Sequence, residues 1–305
     1  MRKIFSLIVG IFFILLGIIG LITPIMPGWI FIFAGLSFLA PRLANRLKQK
    51  FFRKFMKKDI VYLEDWRVAG VRGGFTTRRF PLVLKQTDAF LDPVNQKKLK
   101  ESFSNDPIGC ANKIKALARC ATLNQVHGGH VEVLDGAATF AEDKFHHLPE
   151  TDGAITNIRE LSLLVLTADC LSIFFRAKGW VGLVHAGWRG TRAGVAAKAF
   201  KLIAEKSGCK PADVHMFFGP RIGKNNYEVG KEFENYFPGS SLILKEGKLF
   251  FDLAGENKRQ LLSAGAVENN IFDPEICTVK ENENFYSFRK EKEAAGRTIS
   301  FITRL

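Results

Sequence analysis

The chain holds six histidines, at 127, 130, 146, 147, 185 and 215, and five cysteines, at 110, 120, 170, 209 and 277. Two histidines stand beside glycines at the ends of apolar runs, in Gln125-Val126-His127-Gly128 and Val184-His185-Ala186-Gly187-Trp188. Thr167-Ala168-Asp169-Cys170 closes a third such run. Glycine permits close backbone approach to a ligand, and functional side chains gather where loops leave a rigid scaffold. Two neutral imidazoles and one thiolate compose a three-ligand zinc site with its fourth position open. The same residues also compose a Cys170 nucleophile with His185 as its base. They equally describe a buried cysteine and two hydrogen-bonded histidines. Separations of 43 and 15 residues do not choose among these.

Strands have to bring such distant groups together. Leu161–Thr167, Leu171–Phe175 and Val181–His185 are short, almost wholly apolar runs, as expected of strands buried on both faces. Thr122–Val126 and Val131–Leu134 flank Gly128-Gly129 and predict a hairpin. Thr191 is placed to cap a helix whose apolar positions are Val195, Ala196, Ala199, Phe200 and Ile203, ending at Gly208. Further strands are expected at 214–218, 248–251, 276–279 and 298–302, with a helix over 253–264. No internal repeat or low-complexity linker interrupts the chain after Asp59, so residues 59–305 are expected to form one domain.

The composition excludes a disordered chain and a disulfide miniprotein: 305 residues are 47% hydrophobic and 24% charged. The net charge of +14 invites a nucleic-acid reading, but its location argues against one. Residues 1–58 carry ten basic residues and no acidic one, which leaves only +4 on the remaining 247.

That N-terminal segment reads as membrane. Thirty-eight consecutive uncharged residues separate Lys3 from Arg42, with apolar runs at 4–22 and 29–40. Thr23-Pro24-Ile25-Met26-Pro27-Gly28 breaks them. As helix the stretch reaches roughly 57 Å, slightly short of two ~30 Å spans. The expectation is a transmembrane helical hairpin with both basic ends in the cytoplasm. Segment 42–58 interleaves Lys and Arg with Leu43, Leu47, Phe51, Phe52, Phe55 and Met56, a basic amphipathic tether suited to membrane lipid. A signal peptide lacks its cleavage site here, since the first alanine is Ala34. The odd cysteine count without any CxxC pair agrees with a reducing compartment.

Several runs together resemble one known family. Gln125-Val126-His127-Gly128, Thr151-Asp152-Gly153-Ala154-Ile155-Thr156, Leu166-Thr167-Ala168-Asp169-Cys170 and His185-Ala186-Gly187-Trp188-Arg189-Gly190 occur in order. Tyr227-Glu228-Val229-Gly230, Phe285-Tyr286-Ser287-Phe288-Arg289 and Gly296-Arg297-Thr298 follow. This set, over roughly residues 68–303, is similar to the YfiH-like purine nucleoside phosphorylases, first described as laccase-domain or multicopper polyphenol oxidases. The N-terminal turn, Met26-Pro27-Gly28-Trp29, resembles small membrane proteins with a Pro-Gly-Pro-Gly-Trp motif.

The resemblance implies an α+β fold, a four-layer sandwich of mixed sheets flanked by helices. It implies a metal held by His127, Cys170 and His185, with zinc as the usual assignment and copper the older one. It also implies phosphorolysis of adenosine, inosine, guanosine or methylthioadenosine, and hydrolytic deamination of adenosine. Purine nucleosides and phosphate are therefore the expected partners, at a bacterial inner membrane with the catalytic domain in the cytoplasm.

Arg189, at the start of the helix after His185, is the candidate phosphate ligand. Arg78 occupies the Arg position of the family's Phe-Ser/Thr-Thr-Arg-x-Gly-Gly pattern and is the second substrate-binding candidate, although Phe80 and Pro81 replace both glycines. Asp169 could orient a ligand or carry a proton, or simply cap a strand end. His130 is expected on an exposed hairpin, and His146-His147 in a polar loop. A copper phenol oxidase and a metal-free Cys–His hydrolase are the alternative functions. Six histidines with one constellation fall short of a multicopper site.

Overall fold

The computed structural model describes residues 11–15, 56, 58–63, 66, 69–85, 92–104, 119–136, 140 and 145–305. The chain divides into two compact units, Met1–Met56 and Lys57–Leu305. In the first unit, residues 11–15 are helical and expose Ile11, Phe12 and Leu15. Among the described residues no helix is long and apolar enough to cross a membrane. Apart from residues 11–15 and a few at its end, the expected hairpin and its basic tether lie outside the described residues.

The second unit is built on two six-stranded mixed sheets. The first contains β1 (Ile60–Tyr62), β2 (Val71–Thr76), β3 (Arg119–Leu123), β5 (Phe145–Leu148), β7 (Leu161–Thr167) and β15 (Thr298–Arg304), in the order β1-β2-β15-β7-β3-β5. The second contains β4 (Val131–Leu134), β6 (Gly153–Thr156), β8 (Leu171–Ala177), β9 (Trp180–Ala186), β10 (His215–Phe218) and β14 (Ile271–Phe272), in the order β14-β10-β8-β9-β6-β4. In the first sheet β3 runs parallel to both β5 and β7, while β15 is antiparallel to β2 and β7. In the second, β4–β6 and β10–β14 are the parallel pairs.

The two sheets pack face to face. Phe75 on β2 meets Phe217 on β10 with ring centroids 6.3 Å apart, and Phe217 meets Phe174 on β8 at 5.9 Å. Ser300 Oγ on β15 donates to Ser172 Oγ on β8 at 3.0 Å, satisfying two buried hydroxyls across the same interface. Burial on both faces accounts for the uninterrupted apolar sequences of β7 and β9, which are buried at every residue. Ile299 and Phe301 point the other way, into a cluster with Leu164, Leu166 and Leu99 of helix α1 (Pro93–Ser104). Helix α2 (Trp188–Arg192) is followed by α3 (Val195–Ser207), which covers the second sheet with Val195, Ala196, Ala199, Phe200 and Ile203. These positions recur every three to four residues, the stripe an amphipathic helix needs. A small sheet of β11 (Glu228–Val229), β12 (Leu242–Lys245) and β13 (Lys248–Phe251), with helix α4 (Leu253–Ser263), completes that core.

Three local expectations are corrected. Residues 122–126 and 131–134 do not pair: β3 lies in the first sheet and β4 in the second. The Gly128-Gly129 segment is a crossover rather than a turn, because a buried carboxylate captures its backbone N–H groups. Thr191 does not cap the long helix but lies inside α2, where its hydroxyl accepts from Asn257 Nδ2 at 2.9 Å. Gly194, with φ +73, separates the two helices. Residues 276–279 form no strand: Cys277 makes one isolated bridge to Arg221, and the chain then turns.

Candidate metal centre

His185 is the polar exception in β9. It is 2% exposed, and its register partner is Ser172 on β8. Cys170 immediately precedes β8, in the tight connection from β7. His127 sits on the crossover after β3. Two of the residues here adopt left-handed backbone, His127 at φ 61 and Asp169 at φ 88. Non-glycine residues take that conformation only where surrounding contacts impose it. Gly187 closes the cluster: a Cβ there would lie 3.0 Å from both Cys170 Sγ and His127 Cδ2.

The donor atoms of His127, Cys170 and His185 all lie within 4.8 Å of one another. The two imidazole rings meet edge to face, with centroids 4.8 Å apart. Bonds of ~2.0–2.3 Å around a tetrahedral ion would separate donors by roughly 3.3–3.8 Å, so closure asks for about an ångström of side-chain movement. A set of two imidazoles and one thiolate suits a borderline-soft ion. The group could hold a metal.

Asp152, within the Thr151–Thr156 run and without a chemical role legible from its spacing, organises this cluster. It is wholly buried, immediately before β6. Its Oδ1 accepts from His185 Nδ1 at 2.7 Å and from the His127 backbone N–H at 3.0 Å. Its Oδ2 accepts from the N–H groups of Gly128 at 2.6 Å and Val126 at 3.2 Å. Burial alone would raise its pKa, but the His185 bond and charge together with these N–H groups hold the carboxyl below its usual range. A proton on Nδ1 leaves Nε2 of His185 to face the cluster, the orientation a metal-binding imidazole requires.

Charge is distributed accordingly. Burial would push the Cys170 thiol up, but the charge on His185 and hydrogen bonds from His127 and His185 bring it down to about 6. Burial would lower His185, while the Cys170 charge and the Asp152 bond raise it to about 9. At pH 7 the sulfur is therefore thiolate, the form that ligates metals or attacks electrophiles. Tyr227 is held neutral by burial and by the Cys170 charge, which push its phenol up.

A cavity of about 550 Å³ opens above the three residues. Its walls include Asp169, Tyr227, Lys85, Arg289, Lys292 and Arg297. Asp169 is fixed at both oxygens: Thr278 Oγ1 donates to Oδ1 and the Arg289 backbone N–H to Oδ2, each at 2.6 Å. The chain turn after Cys277 thus braces the residue next to Cys170.

Neither expected substrate-binding arginine lines this cavity. Arg189 is exposed, with its guanidinium 4.3 Å above the Trp188 ring. Trp188 stacks on Tyr236 and packs against Phe233. Arg78 pairs with Glu291, donates to the Phe285 carbonyl at 3.2 Å and lies 4.4 Å over the Tyr286 ring. His130 is exposed beside Glu132 at 3.0 Å. His146 and His147 lie on β5 rather than in a loop, with His147 Nδ1 3.0 Å from Thr122 Oγ1.

Residues 105–305 match the family model described as multi-copper polyphenol oxidoreductase laccase. The chain belongs to this family. Residues 3–54 match a second model, that of transmembrane proteins named for a PGPGW motif. Strands β1 and β2 precede the first match, yet they share a sheet with β15, so the family fold continues N-terminal to it.

Among the family's curated members, the chain is 34% identical over 200 residues to the purine nucleoside phosphorylase YlmD of Geobacillus stearothermophilus, covering 62% of this chain and 73% of that one. It is 39% identical over 153 residues to a purine nucleoside phosphorylase of Aquifex aeolicus, covering 50% and 71%. The crystal structure of Bacillus licheniformis hypothetical protein YfiH superimposes with a TM-score of 0.67 at 25% identity, over 81% of this chain and 97% of that one. Mixed sheets with flanking helices are thus the family's fold.

Proposed function

We propose that the chain is a zinc-dependent purine nucleoside phosphorylase with adenosine deaminase activity, tethered to the inner membrane through residues 1–58. The observation that carries it is the convergence of His127, Cys170 and His185, backed by Asp152, at the floor of a cavity about 550 Å³ in volume. That volume suits a nucleoside and a phosphate ion side by side. Relatives named purine nucleoside phosphorylase, at 34% and 39% identity, support the reaction class.

Zinc in such a site supplies Lewis-acid stabilisation of developing negative charge. The protein's own groups do the rest. Asp152 fixes the His185 tautomer and ring plane, so that substrate meets a preorganised wall. The cationic side chains at the cavity mouth stabilise an anionic co-substrate. Holding phosphate against a bound nucleoside makes the encounter effectively unimolecular, worth up to roughly 7–11 kcal/mol of barrier. Candidate substrates are adenosine, inosine, guanosine and methylthioadenosine.

The donor set argues against a multicopper oxidase. All six histidines are among the described residues, and the three-residue cluster is the one group there with metal-ligand geometry. An electron-transfer copper with a separate histidine-rich cluster needs more. A metal-free Cys170–His185 hydrolase would use the thiolate but leave His127 without a part. Elemental analysis of the purified full-length chain separates these readings: one zinc per chain supports ours, while several coppers or no metal overturns it. Reporter fusions after Lys58 should be active only as cytoplasmic reporters if the tether is a hairpin with both ends inside.

A further inference from the structure

Among the described residues the cavity carries four cationic side chains, Lys85, Arg289, Lys292 and Arg297, against one carboxylate, Asp169. Asp169 is already occupied by Thr278 and by a backbone N–H. Nearby carboxylates are engaged elsewhere: Glu291 by Arg78, and Glu228 by Lys248 at 3.1 Å. Arg289 spends Nη2 on the Glu228 carbonyl at 2.9 Å, and Arg297 spends Nη1 on the carbonyls of Ala295 and Gly296. Each guanidinium keeps further N–H donors. Among the described residues Lys85 and Lys292 form no ion pair. Among the described residues four cations face a single carboxylate in this cavity, a net positive excess that concentrates positive potential where a ligand must enter. The Arg289 backbone N–H bonds to Asp169, which ties the main chain of this cationic segment to the residue beside Cys170.

We propose that Lys85, Arg289, Lys292 and Arg297 form a subsite for a phosphate group at the mouth of the metal-centre cavity, in place of the exposed Arg189. Guanidinium groups match phosphate oxygens in pairs, and ammonium groups add point charge. The occupant is inorganic phosphate or the phosphate ester of a nucleotide; its part in catalysis rests on the phosphorylase reading, but its binding does not.

The test is calorimetric titration of zinc-loaded full-length protein with inorganic phosphate and, separately, with adenosine 5′-monophosphate. Two double variants, Arg289→Gln with Arg297→Gln and Lys85→Ala with Lys292→Ala, are compared with wild type and with Arg189→Ala alone. The lysine pair makes no described contact that folding depends on. Zinc content is measured alongside. The expected result is binding of at least one ligand, weakened at least tenfold in both double variants with zinc retained. Preference for the free ion or for the ester tells which source the subsite takes. Absence of binding by wild type, affinities within twofold of wild type in both double variants, or loss on Arg189→Ala alone overturns the proposal. Binding is read separately from turnover, so phosphate binding together with no free base in a product analysis sinks the phosphorylase reading and leaves the subsite standing.

Discussion

Asp152 Oδ1 lies 2.7 Å from His185 Nδ1 and 3.0 Å from the backbone nitrogen of His127, so a single oxygen orients two members of the cluster. The other oxygen holds Gly128 and Val126, which keeps the crossover segment out of any ladder. Asp152→Asn keeps the size of the side chain but removes the charge that selects the His185 tautomer. Metal affinity, measured by competition with a chromogenic chelator, should fall about 10–100-fold. Affinity equal to wild type would remove Asp152 from the account.

Gly187→Ala tests how closely the cluster is packed. The added methyl would stand 3.0 Å from Cys170 Sγ and His127 Cδ2, tighter than ordinary contact, so both donors must shift. Metal binding should weaken by roughly tenfold or more, since sites tolerate only about 0.5 Å of displacement. Circular dichroism should stay unchanged, because Gly187 has φ −78, which alanine adopts without strain.

Thiol reactivity reports the charge on Cys170. In chelator-treated protein its alkylation by iodoacetamide should rise with pH through a midpoint near 6 and level off above it, because the thiolate is the reactive form. Zinc should protect it. A midpoint near the ordinary thiol value, at about 8.5, would mean that His127 and His185 do not stabilise the anion.

Strand β8, which follows Cys170 and pairs with the strand that carries His185, packs in the interface between the two large sheets. Phe174 is fully buried there and packs against Phe217. Phe174→Ala should cost about 3–5 kcal/mol of stability, visible as a shift of the denaturation midpoint at unchanged slope. A loss below 1 kcal/mol would show that the sheets are not tightly packed at that point.

His127, Cys170 and His185 were legible in the sequence because each interrupts or ends an apolar run beside glycine or another small residue. The buried strands β7, β8 and β9 were legible for the same reason, since burial on both faces leaves a continuous apolar signature. Asp152 was not: a carboxylate gains its role from the backbone N–H groups that reach it, and these come from a segment 24–26 residues earlier. That capture also explains why Gly128-Gly129 read as a hairpin turn, since glycine signals a reversal whether the chain pairs or crosses over. Arg289 and Arg297 stand in family motifs, but spacing cannot say which segments share a cavity. Arg189 stands at a helix start, a position sequence can single out, but that its guanidinium lies over the Trp188 ring is set by the fold alone.

The most direct measurement is product analysis of inosine and adenosine incubated with zinc-loaded full-length protein, with and without phosphate. Free base and ribose 1-phosphate should form from inosine only when phosphate is present, and that turnover should be lost in Cys170→Ala. No free base with phosphate present, or base release that is indifferent to phosphate, would contradict it.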